Sequence, residues 1–389
     1  MYCCRYKLTN SNLWGEGMKV KLGELINVKT GKLDANAANE NGLYPFFTCS
    51  KEPLRINTYT YDCECVLVAG NGDLNVKYYK GKFDAYQRTY ILESSSNKLY
   101  MPYLYFFMDK YVDTLRKQSI GGVIKYIKLE NITNASLELI DINKQKEICN
   151  KIYKVKELID KQKKIIDHLD TLIKARFVEM FGDPVLNNYQ WEVKKLKDLS
   201  VLITNGTTPD GGDKNYKNKG IMFLRSQNIW KNRMELDEVV YISEEMNNNM
   251  KKSQVQHNDI LITKTGRINT ENSSLGRAAL FEGKNNCANI NGHVYLVRLN
   301  KSVLPKFVLT ILIGDEYREY IRKVCVGGID KRQINIEQVE NFPIILPDIK
   351  TQEKFCDFVQ HIDKLKFDVQ KSLEKTQMLF DSLMQKYFG

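Results

Sequence analysis

Two stretches of the chain repeat apolar residues in the alternating three- and four-residue steps of a helix that packs against another helix. They span residues 144–181 and 351–388, and neither contains proline or glycine. A seam sustained over about five heptads is typical of a coiled coil. We therefore predict two long helices that pack on each other, the alternative being helices that pack only on the rest of the protein. The seam positions are Ile148, Ile152, Val155, Ile159, Gln162, Ile166, Leu169, Ile173, Arg176 and Met180, then Val359, Ile362, Lys366, Val369, Leu373, Thr376, Phe380 and Leu383.

The segment before each long helix has a different pattern. Short β-branched runs broken by glycine and asparagine predict strands at 65–69, 89–92, 260–263 and 294–299. Apolar residues at helical spacing predict helices at 103–117 and 306–323. Each half of the chain thus consists of a segment of mixed strands and helices followed by one long helix. Gly182-Asp183-Pro184 is a stop signal for the first long helix.

The two halves are copies of each other. The pairs that lie 207 residues apart are Gln145 with Gln352, Cys149 with Cys356, Leu158 with Leu365, Leu172 with Leu379, and Phe181-Gly182 with Phe388-Gly389. Upstream, the matching segments are Gly121-Gly122-Val123 with Gly327-Gly328-Ile329, residues 66–68 with 260–262, Gly72 with Gly266, and 42–50 with 220–228. The loops between these segments differ. A repeated scaffold with diverged loops predicts two related but different readings of a ligand.

The order of the parts predicts an α+β architecture with two homologous mixed α/β domains. Along the chain, each domain is followed by a long helix. The simplest arrangement for this order is an antiparallel coiled coil of the two helices, with a pseudo-two-fold axis that relates the two copies. The domains then lie at opposite ends, and the helices set the distance between them. The predicted boundaries are 1–17 for a leader without an assigned role, 18–143 and 183–350 for the two domains, and 144–182 and 351–389 for the two helices.

Charge and composition limit the kinds of binding partner and the cellular compartment that we expect for the protein. The 58 Lys and Arg outnumber the 47 Asp and Glu, for a net charge of +11. Such a surface attracts polyanions, most commonly nucleic acid, although a Lys- and Asn-rich composition from an AT-rich genome explains the charge equally well. No segment reads as a signal peptide or membrane span. Nine cysteines without zinc-site spacing then indicate a reducing compartment, and we expect a cytoplasmic protein with no metal and no membrane partner.

Side chains suited to DNA follow the central strands in both halves. Arg and Lys pair with guanine, and Asn and Gln with adenine, in the major groove. Flexible cations bind phosphates. A solvated loop is the alternative for any single residue, and Gln87 and His293 have the alternative of supporting the strands they precede. The candidates are Asn71, Asn75, Lys77, Lys80, Lys82, Gln87 and Arg88, then Arg225, Gln227, Asn228, Lys264, Thr265, Arg267, Asn269, Arg277, Lys284, Asn289, Asn291 and His293.

The sequence contains no recognisable catalytic motif. A DNA-adenine methyltransferase needs an Asn/Asp-Pro-Pro-aromatic motif, and none of the eight prolines follows another. The Gly-Lys pairs at positions 31, 81 and 283 lack the Ser or Thr that a phosphate-binding loop requires. No nucleophile paired with a base is identifiable. We predict a non-catalytic protein without a cofactor in this chain.

The chain resembles the specificity (S) subunit of Type I restriction-modification systems. The likeness rests on the order and duplication of segments 70–73, 86–90, 172–184, 259–266 and 345–355, and it runs from about Met18 to Gly389. The resemblance implies two target-recognition domains, each reading half of a bipartite, asymmetric site in double-stranded DNA. It also implies helices that bind two methyltransferase (M) subunits. In such bacterial defence systems the M subunits methylate adenine with S-adenosylmethionine, and motor-nuclease (R) subunits can join to cut unmodified DNA.

Two other classes of function stay open at this point. The recognition part of a modification enzyme that has lost its catalytic part predicts a cofactor-binding signature, which the sequence lacks. A coiled-coil scaffold without sequence-specific binding requires only the helices and leaves the Arg-, Asn- and Gln-rich loops unexplained. Weak DNA binding without a footprint would favour the scaffold.

Overall fold

The computed structural model describes residues 18–209, 211–268, 270, 272–328 and 330–389. The predicted leader at 1–17, the candidate Asn269 and Ile329 of the repeat lie outside the described residues. The chain divides into two compact units. Unit 1 comprises the described residues 18–164 with Gln370–Gly389, and unit 2 comprises Ile165–Val369.

Unit 1 is built on a six-stranded sheet with the order β2-β7-β5-β6-β3-β4 and a separate β1-β8 pair. Its strands are β1 (Met18–Lys21), β2 (Ile26–Thr30), β3 (Tyr44–Phe47), β4 (Leu54–Ile56), β5 (Tyr61–Ala69), β6 (Val76–Ala85), β7 (Thr89–Ser94) and β8 (Ser136–Leu139). Its shorter helices are α1 (Met101–Gln118) and α2 (Leu129–Thr133), and the long helix α3 (Ile142–Phe181) begins here.

Unit 2 has a central sheet with the order β10-β19-β15-β17, beside the smaller sheets β14-β11-β18, β16-β21-β20, β12-β13 and β22-β9. Its strands are β9 (Val193–Lys195), β10 (Ser200–Asn205), β11 (Ile221–Leu224), β12 (Ile229–Trp230), β13 (Arg233–Met234), β14 (Val240–Ile242), β15 (Ile260–Thr263), β16 (Thr265–Arg267), β17 (Ala278–Leu280), β18 (Ala288–Ile290), β19 (Val294–Leu299), β20 (Val326–Gly327), β21 (Lys331–Gln333) and β22 (Pro343–Ile345). Its helices are α4 (Glu244–Asn249), α5 (Pro305–Ile313), α6 (Asp315–Val324), α7 (Ile336–Glu340) and the start of α8 (Ile349–Phe388).

The two long helices predicted from the periodicity are present, each beginning two residues before its predicted start. Every predicted seam position is buried or half-buried. In unit 1, Gln162 Nε2 donates to Ser372 Oγ at 2.8 Å across the helix pair. In unit 2, Lys366 Nζ lies 2.5 Å from Asp170 Oδ1. The partner of the later α3 residue comes earlier in α8, so the helices run antiparallel, and the predicted coiled coil is confirmed.

A buried glutamine joins each long helix to its sheet domain. In unit 1, Gln145 is fully buried, and its Nε2 donates to the carbonyl oxygens of Lys98 and Ile140 at 2.7 and 2.8 Å. Its Oε1 accepts from the amide of Tyr100, the residue that precedes α1, at 2.8 Å. One amide group therefore ties together the end of β8, the entry to α1 and the first turns of α3.

The matching glutamine of unit 2 makes the same kind of connection. Gln352 is also fully buried, and its Nε2 donates to the Pro347 carbonyl at 2.8 Å. Its Oε1 accepts from the amide of Leu304, which precedes α5, at 2.9 Å. The repeat seen in the sequence therefore extends to the chemistry of the junction.

Both sheets place alternate side chains on opposite faces, as a strand period of two requires. On β5, Val66 and Val68 face the cluster that includes α1 and the start of α3, whereas Leu67 faces a second cluster. On β15, Ile260 and Ile262 face the helices of unit 2, and residue 261 lies in a separate cluster on the other face. The predicted strands are confirmed as core strands with two apolar faces.

Backbone hydrogen bonds correct one detail of the sequence repeat. The Tyr86 amide donates to the Phe47 carbonyl at 2.9 Å, and the Asn291 amide donates to the Leu224 carbonyl at 3.0 Å. Phe47 therefore corresponds to Leu224. The alignment of 42–50 with 220–228 is therefore shifted by one residue at this point. A short run of apolar residues does not determine by itself which residue matches which.

The predicted helix at 306–323 is wrong in one respect, because it is two helices. Helix α5 ends at Ile313, Gly314 is extended in ψ at 148°, and α6 begins at Asp315. Acidic residues in the first turn favour a new helix N-terminus at this point. The predicted stop of α3 is confirmed: Gly182 has φ of +75°, and its amide donates to the Val178 carbonyl at 2.9 Å.

We expect Gln145→Leu to lower the free energy of unfolding of unit 1 by roughly 3 kcal/mol, because it leaves one amide and two carbonyl groups buried without partners. Gln370→Leu is the matched control, since Gln370 is exposed on the part of α8 that belongs to unit 1, and it should change stability by less than about 0.5 kcal/mol. Chemical denaturation followed by circular dichroism measures both. Equal effects of the two substitutions would contradict the importance of the buried amide.

Candidate nucleic-acid interface

In unit 1, four loop segments meet where β5 ends. The Gly70 amide donates to the Arg88 carbonyl at 2.8 Å, and Cys49 Sγ donates to the same carbonyl at 3.6 Å. The Ile127 amide donates to the Gly70 carbonyl at 2.9 Å. Asn75 Nδ2 donates to the Cys49 carbonyl at 2.8 Å. These bonds gather the loops 48–53, 70–75 and 86–88 and the hairpin 120–126.

Unit 2 gathers its loops with the same bonds. The Lys264 amide donates to the His293 carbonyl at 2.9 Å, and Ser226 Oγ donates to that carbonyl at 3.3 Å. The Ile334 amide donates to the Lys264 carbonyl at 2.9 Å. Lys264, His293 and Ser226 thus occupy the places of Gly70, Arg88 and Cys49. The backbone arrangement is conserved between the units, while the side chains at matching places differ in size, charge and hydrogen-bonding capacity.

Two asparagines that the sequence places in the interface are buried supports of the backbone. Asn289 is fully buried, and its Nδ2 donates to Asn247 Oδ1 at 2.8 Å and to the Met250 carbonyl at 3.2 Å. Asn228, also buried, accepts from the Arg225 amide and donates to a backbone carbonyl, both at 2.9 Å. Buried amides that make these bonds have no accessible edge to offer a base, so we remove both from the candidate interface.

Arg277 and Asn291 are likewise directed inward. The Arg277 guanidinium carbon lies 3.9 Å from the centre of the Trp230 ring, and its Nε donates to the Ser273 carbonyl at 3.1 Å. Burial lowers the pKa of this guanidinium. The side chain of Asn291 is 8% exposed and accepts from the His293 amide at 3.1 Å. These residues shape their loops, and we remove them as candidate contacts.

Three predicted lysines lie away from the loop clusters. On β6, Lys80 is 3.5 Å from Glu64 and Lys82 lies over the Tyr59 ring at 4.5 Å, several residues along the strand from the loop 70–75. Lys284 is exposed in the loop that enters β18, at the opposite end of that strand from the cluster of unit 2. These cations are placed to add positive charge at a distance from the clusters.

The remaining candidates lie in or beside the clusters. In unit 1, Lys77 is half-buried, donates to Asn75 Oδ1, and has its pKa lowered by burial. In unit 2, Arg267 Nε lies 3.3 Å from Asp330 with both side chains exposed, a contact that water weakens. The candidates retained are Asn71, Asn75, Lys77, Gln87 and Arg88 in unit 1, and Arg225, Gln227, Lys264, Thr265, Arg267 and His293 in unit 2.

A hairpin borders each cluster, and none of its residues is among the candidates predicted from the sequence. In unit 1 it is the segment 120–126. In unit 2 it is β20 and β21, which pair with each other, and β21 also pairs with β16. The buried Nε of Arg332, on β21, has no hydrogen-bond partner in the described part of unit 2. The signal in the sequence was the repeated Gly-Gly pair, a pattern that is typical of a turn.

Among the described residues, no group of three or more His, Cys, Asp and Glu side chains is arranged to hold a metal ion. None of the described helices is both long and apolar enough to cross a membrane.

Comparison with known proteins identifies the family. The sequence profile described as "Type I restriction modification DNA specificity domain" matches residues 15–175 and again residues 188–376. The chain belongs to this family. The two matches cover both copies of the repeat, so the specificity domain occurs twice.

Relatives in this specificity family match parts of the chain. The type I restriction enzyme EcoDI specificity subunit of Escherichia coli is 38% identical over 155 residues, which is 40% of this chain and 34% of that protein. The putative type I restriction enzyme MjaX specificity subunit of Methanocaldococcus jannaschii is 25% identical over 200 residues, 51% of this chain and 45% of that protein. The chain thus matches less than half the length of each.

Solved structures of the specificity family share the fold. The S subunit of a Type I restriction-modification system from M. genitalium superposes with a TM-score of 0.62 at 14% identity, covering 98% of both chains. A chain from a structure describing assembly and conformational transition of the type I system gives a TM-score of 0.55 at 15% identity, covering 99% of both. This similarity confirms the predicted fold class.

We expect Asn289→Ala to destabilise unit 2 by about 1–3 kcal/mol, because it leaves the side chain of Asn247 and a buried carbonyl without a donor. Gln227→Ala, an exposed position in the same unit, should stay within about 0.5 kcal/mol of the parent chain. Thermal and urea unfolding measure the difference. A neutral Asn289→Ala would return this residue to the list of candidate contacts.

Proposed function

We propose that the chain is the DNA-specificity subunit of a Type I restriction-modification complex and that each unit reads one half of a bipartite, asymmetric site in double-stranded DNA. The observation that carries the proposal is the pair of loop clusters, held by the same backbone bonds but presenting different side chains. Two related sites with different chemistry suit two different half-sites. The net charge of +11 suits a polyanion.

The retained side chains match the chemistry of duplex recognition. Exposed side chains in both units supply hydrogen-bond donors for the acceptor atoms of base edges and phosphates. They are Gln87 and Arg88 in unit 1, and Gln227 and Arg267 in unit 2. They extend from loops that a sheet holds in place, which limits the entropy lost on binding. A scaffold without sequence preference would not require this pair of matched clusters.

We also propose that the long helices bind two M subunits. Four exposed leucines each precede a seam residue by one position, so within each unit the two leucines lie on the same flank of the helix pair. Unit 1 carries Leu158 and Leu379, and unit 2 carries Leu172 and Leu365. Apolar residues that repeat on a solvent-facing flank are typical of a protein interface. Each unit carries one pair of these leucines, which fits the binding of one M subunit by each unit.

Catalysis belongs, in this proposal, to the partners. The M subunits bind S-adenosylmethionine and transfer the methyl group to adenine, and this chain selects the site without chemistry of its own. R subunits join the same complex where the system also cuts DNA. The complex acts in the cytoplasm, where the chromosome lies. That the long helices fix the gap between the half-sites stays a prediction of the sequence.

Exchanging residues 22–142 for the first domain of another family member should change one half of the methylated motif and leave the other half unchanged. The reason is that the exchange replaces every loop of one cluster and none of the other. Sequencing that detects methylated adenine in the host genome measures the motif. The matched control exchanges residues 196–348 and should change only the other half. A motif that changes in both halves after either exchange contradicts two separate readers.

Leu158→Asp combined with Leu379→Asp should remove one of the two M subunits from the complex, because two charges in an apolar interface cost several kcal/mol to desolvate. The helices should stay folded, since both leucines are solvent-exposed. Analytical ultracentrifugation gives the stoichiometry. Val201→Asp, at an exposed apolar position on β10, is the control and should keep both M subunits. Full assembly of the leucine variant would exclude this flank as the docking site.

A further inference from the structure

The hairpin at 120–126 of unit 1 stands directly beside the loop cluster. Ile120 and Tyr126 form an antiparallel pair, with amide-to-carbonyl distances of 3.0 and 2.9 Å. The Gly72 amide donates to the Lys125 carbonyl at 2.9 Å, which fixes the hairpin to the loop after β5. The hairpin is therefore a positioned part of the candidate interface.

Its tip consists of apolar residues that nothing in the described part of unit 1 covers. Val123 is fully exposed, Ile124 is 63% exposed and Ile120 is 44% exposed. Gly121 has φ of +116°, and a Cβ at this position would lie 2.5 Å from the Ile124 carbonyl oxygen, so the turn requires glycine. Adjacent exposed β-branched residues on a fixed turn are typical of a binding surface.

The charge around the tip favours DNA over protein as the occupant. The segment 120–128 contains Lys125 and Lys128, both exposed, and no acidic residue. Arg88, also exposed, lies in the loop bonded to Gly70. An apolar tip flanked by cations fits a groove whose rims are phosphates and whose floor is made of bases.

B-form DNA presents few apolar groups to such a tip. Phosphates are charged, and most base edges in the grooves carry hydrogen-bonding groups. The apolar group that the major groove offers is the C5 methyl of thymine. Valine and isoleucine suit this contact because their χ1 angles are restricted, so little rotamer freedom is lost on binding.

We infer that Val123 and Ile124 contact thymine methyl groups in the half-site read by unit 1, which makes this hairpin a specificity element. The inference rests on the proposed function and adds to it an apolar component of recognition. It assigns base contacts to two side chains that have no hydrogen-bonding group.

Uracil in place of thymine tests the contact, because it removes only the C5 methyl. The domain exchange described above assigns a half-site to unit 1, and each thymine of that half-site is replaced in turn in a synthetic duplex. Binding is measured for the full chain in complex with its M subunits. At contacted positions uracil should weaken wild-type binding about fourfold per methyl lost. For the variant Val123→Ser with Ile124→Ser, the same replacement should have no effect.

Leu43→Ser is the matched control, because Leu43 is 73% exposed and precedes β3, whereas the loop 48–53 follows that strand. This variant should keep both the affinity and the sensitivity to uracil. The hairpin variant should unfold at the wild-type temperature, since its changed side chains are exposed.

Three results would overturn the inference while leaving the proposed function intact. They are a half-site of unit 1 without an A·T pair, wild-type binding that is insensitive to uracil, and equal sensitivity in the wild type and the hairpin variant. Loss of M subunits from the hairpin variant, with its uracil sensitivity retained, would overturn it in favour of a protein partner. A wild-type complex with no sequence-specific duplex binding would overturn the inference and the proposed function together.

Discussion

Each unit depends on one buried amide group. Gln145 and Gln352 each supply a donor for a carbonyl just after the last strand of the unit and an acceptor for the amide that precedes α1 or α5. A leucine would satisfy neither need, and a carboxylate would lack the donor. This amide fixes the last strand and the start of α1 or α5 against the long helix. Because α1 and α5 pack on the sheets from which the interface loops extend, it also helps to fix those sheets.

The buried backbone groups of the interface loops need hydrogen-bond partners within the protein. Because irregular segments lack the regular hydrogen bonds of helices and strands, nearby side chains bond to these amides and carbonyls. Asn228, Asn289 and Asn291 serve in this way, and Arg277 is held on Trp230. The side chains left facing solvent are the ones that can differ between the units without disturbing the scaffold. Divergence of binding chemistry is therefore confined to a subset of each loop.

The sequence predicts regular features well because their physical cause is periodic. Every seam position of the long helices is at least half-buried, and the stop at Gly182 lies where it was predicted. The position and orientation of a side chain in a loop follow no such periodic pattern, so the sequence alone does not predict them. Arg277 and Arg267 look alike in the sequence, yet one is buried on a tryptophan and the other is exposed. The break at Gly314 was missed because apolar spacing continues across it. The hairpin tip was missed because its residues are apolar, whereas the candidates were chosen for their hydrogen-bonding groups and charges.

The repeated junction has a genetic consequence. The bonds of Gln145 and Gln352 reach backbone atoms, so they do not depend on which side chains stand at the residues they reach. A crossover between two related genes near either codon would keep these bonds, provided that the incoming domain still packs against the first turns of the long helix. Point mutation alters a loop one side chain at a time, whereas such recombination would exchange all the loops of a unit together. Copies of the gene that differ in one unit would then yield new pairs of units without any change to the long helices.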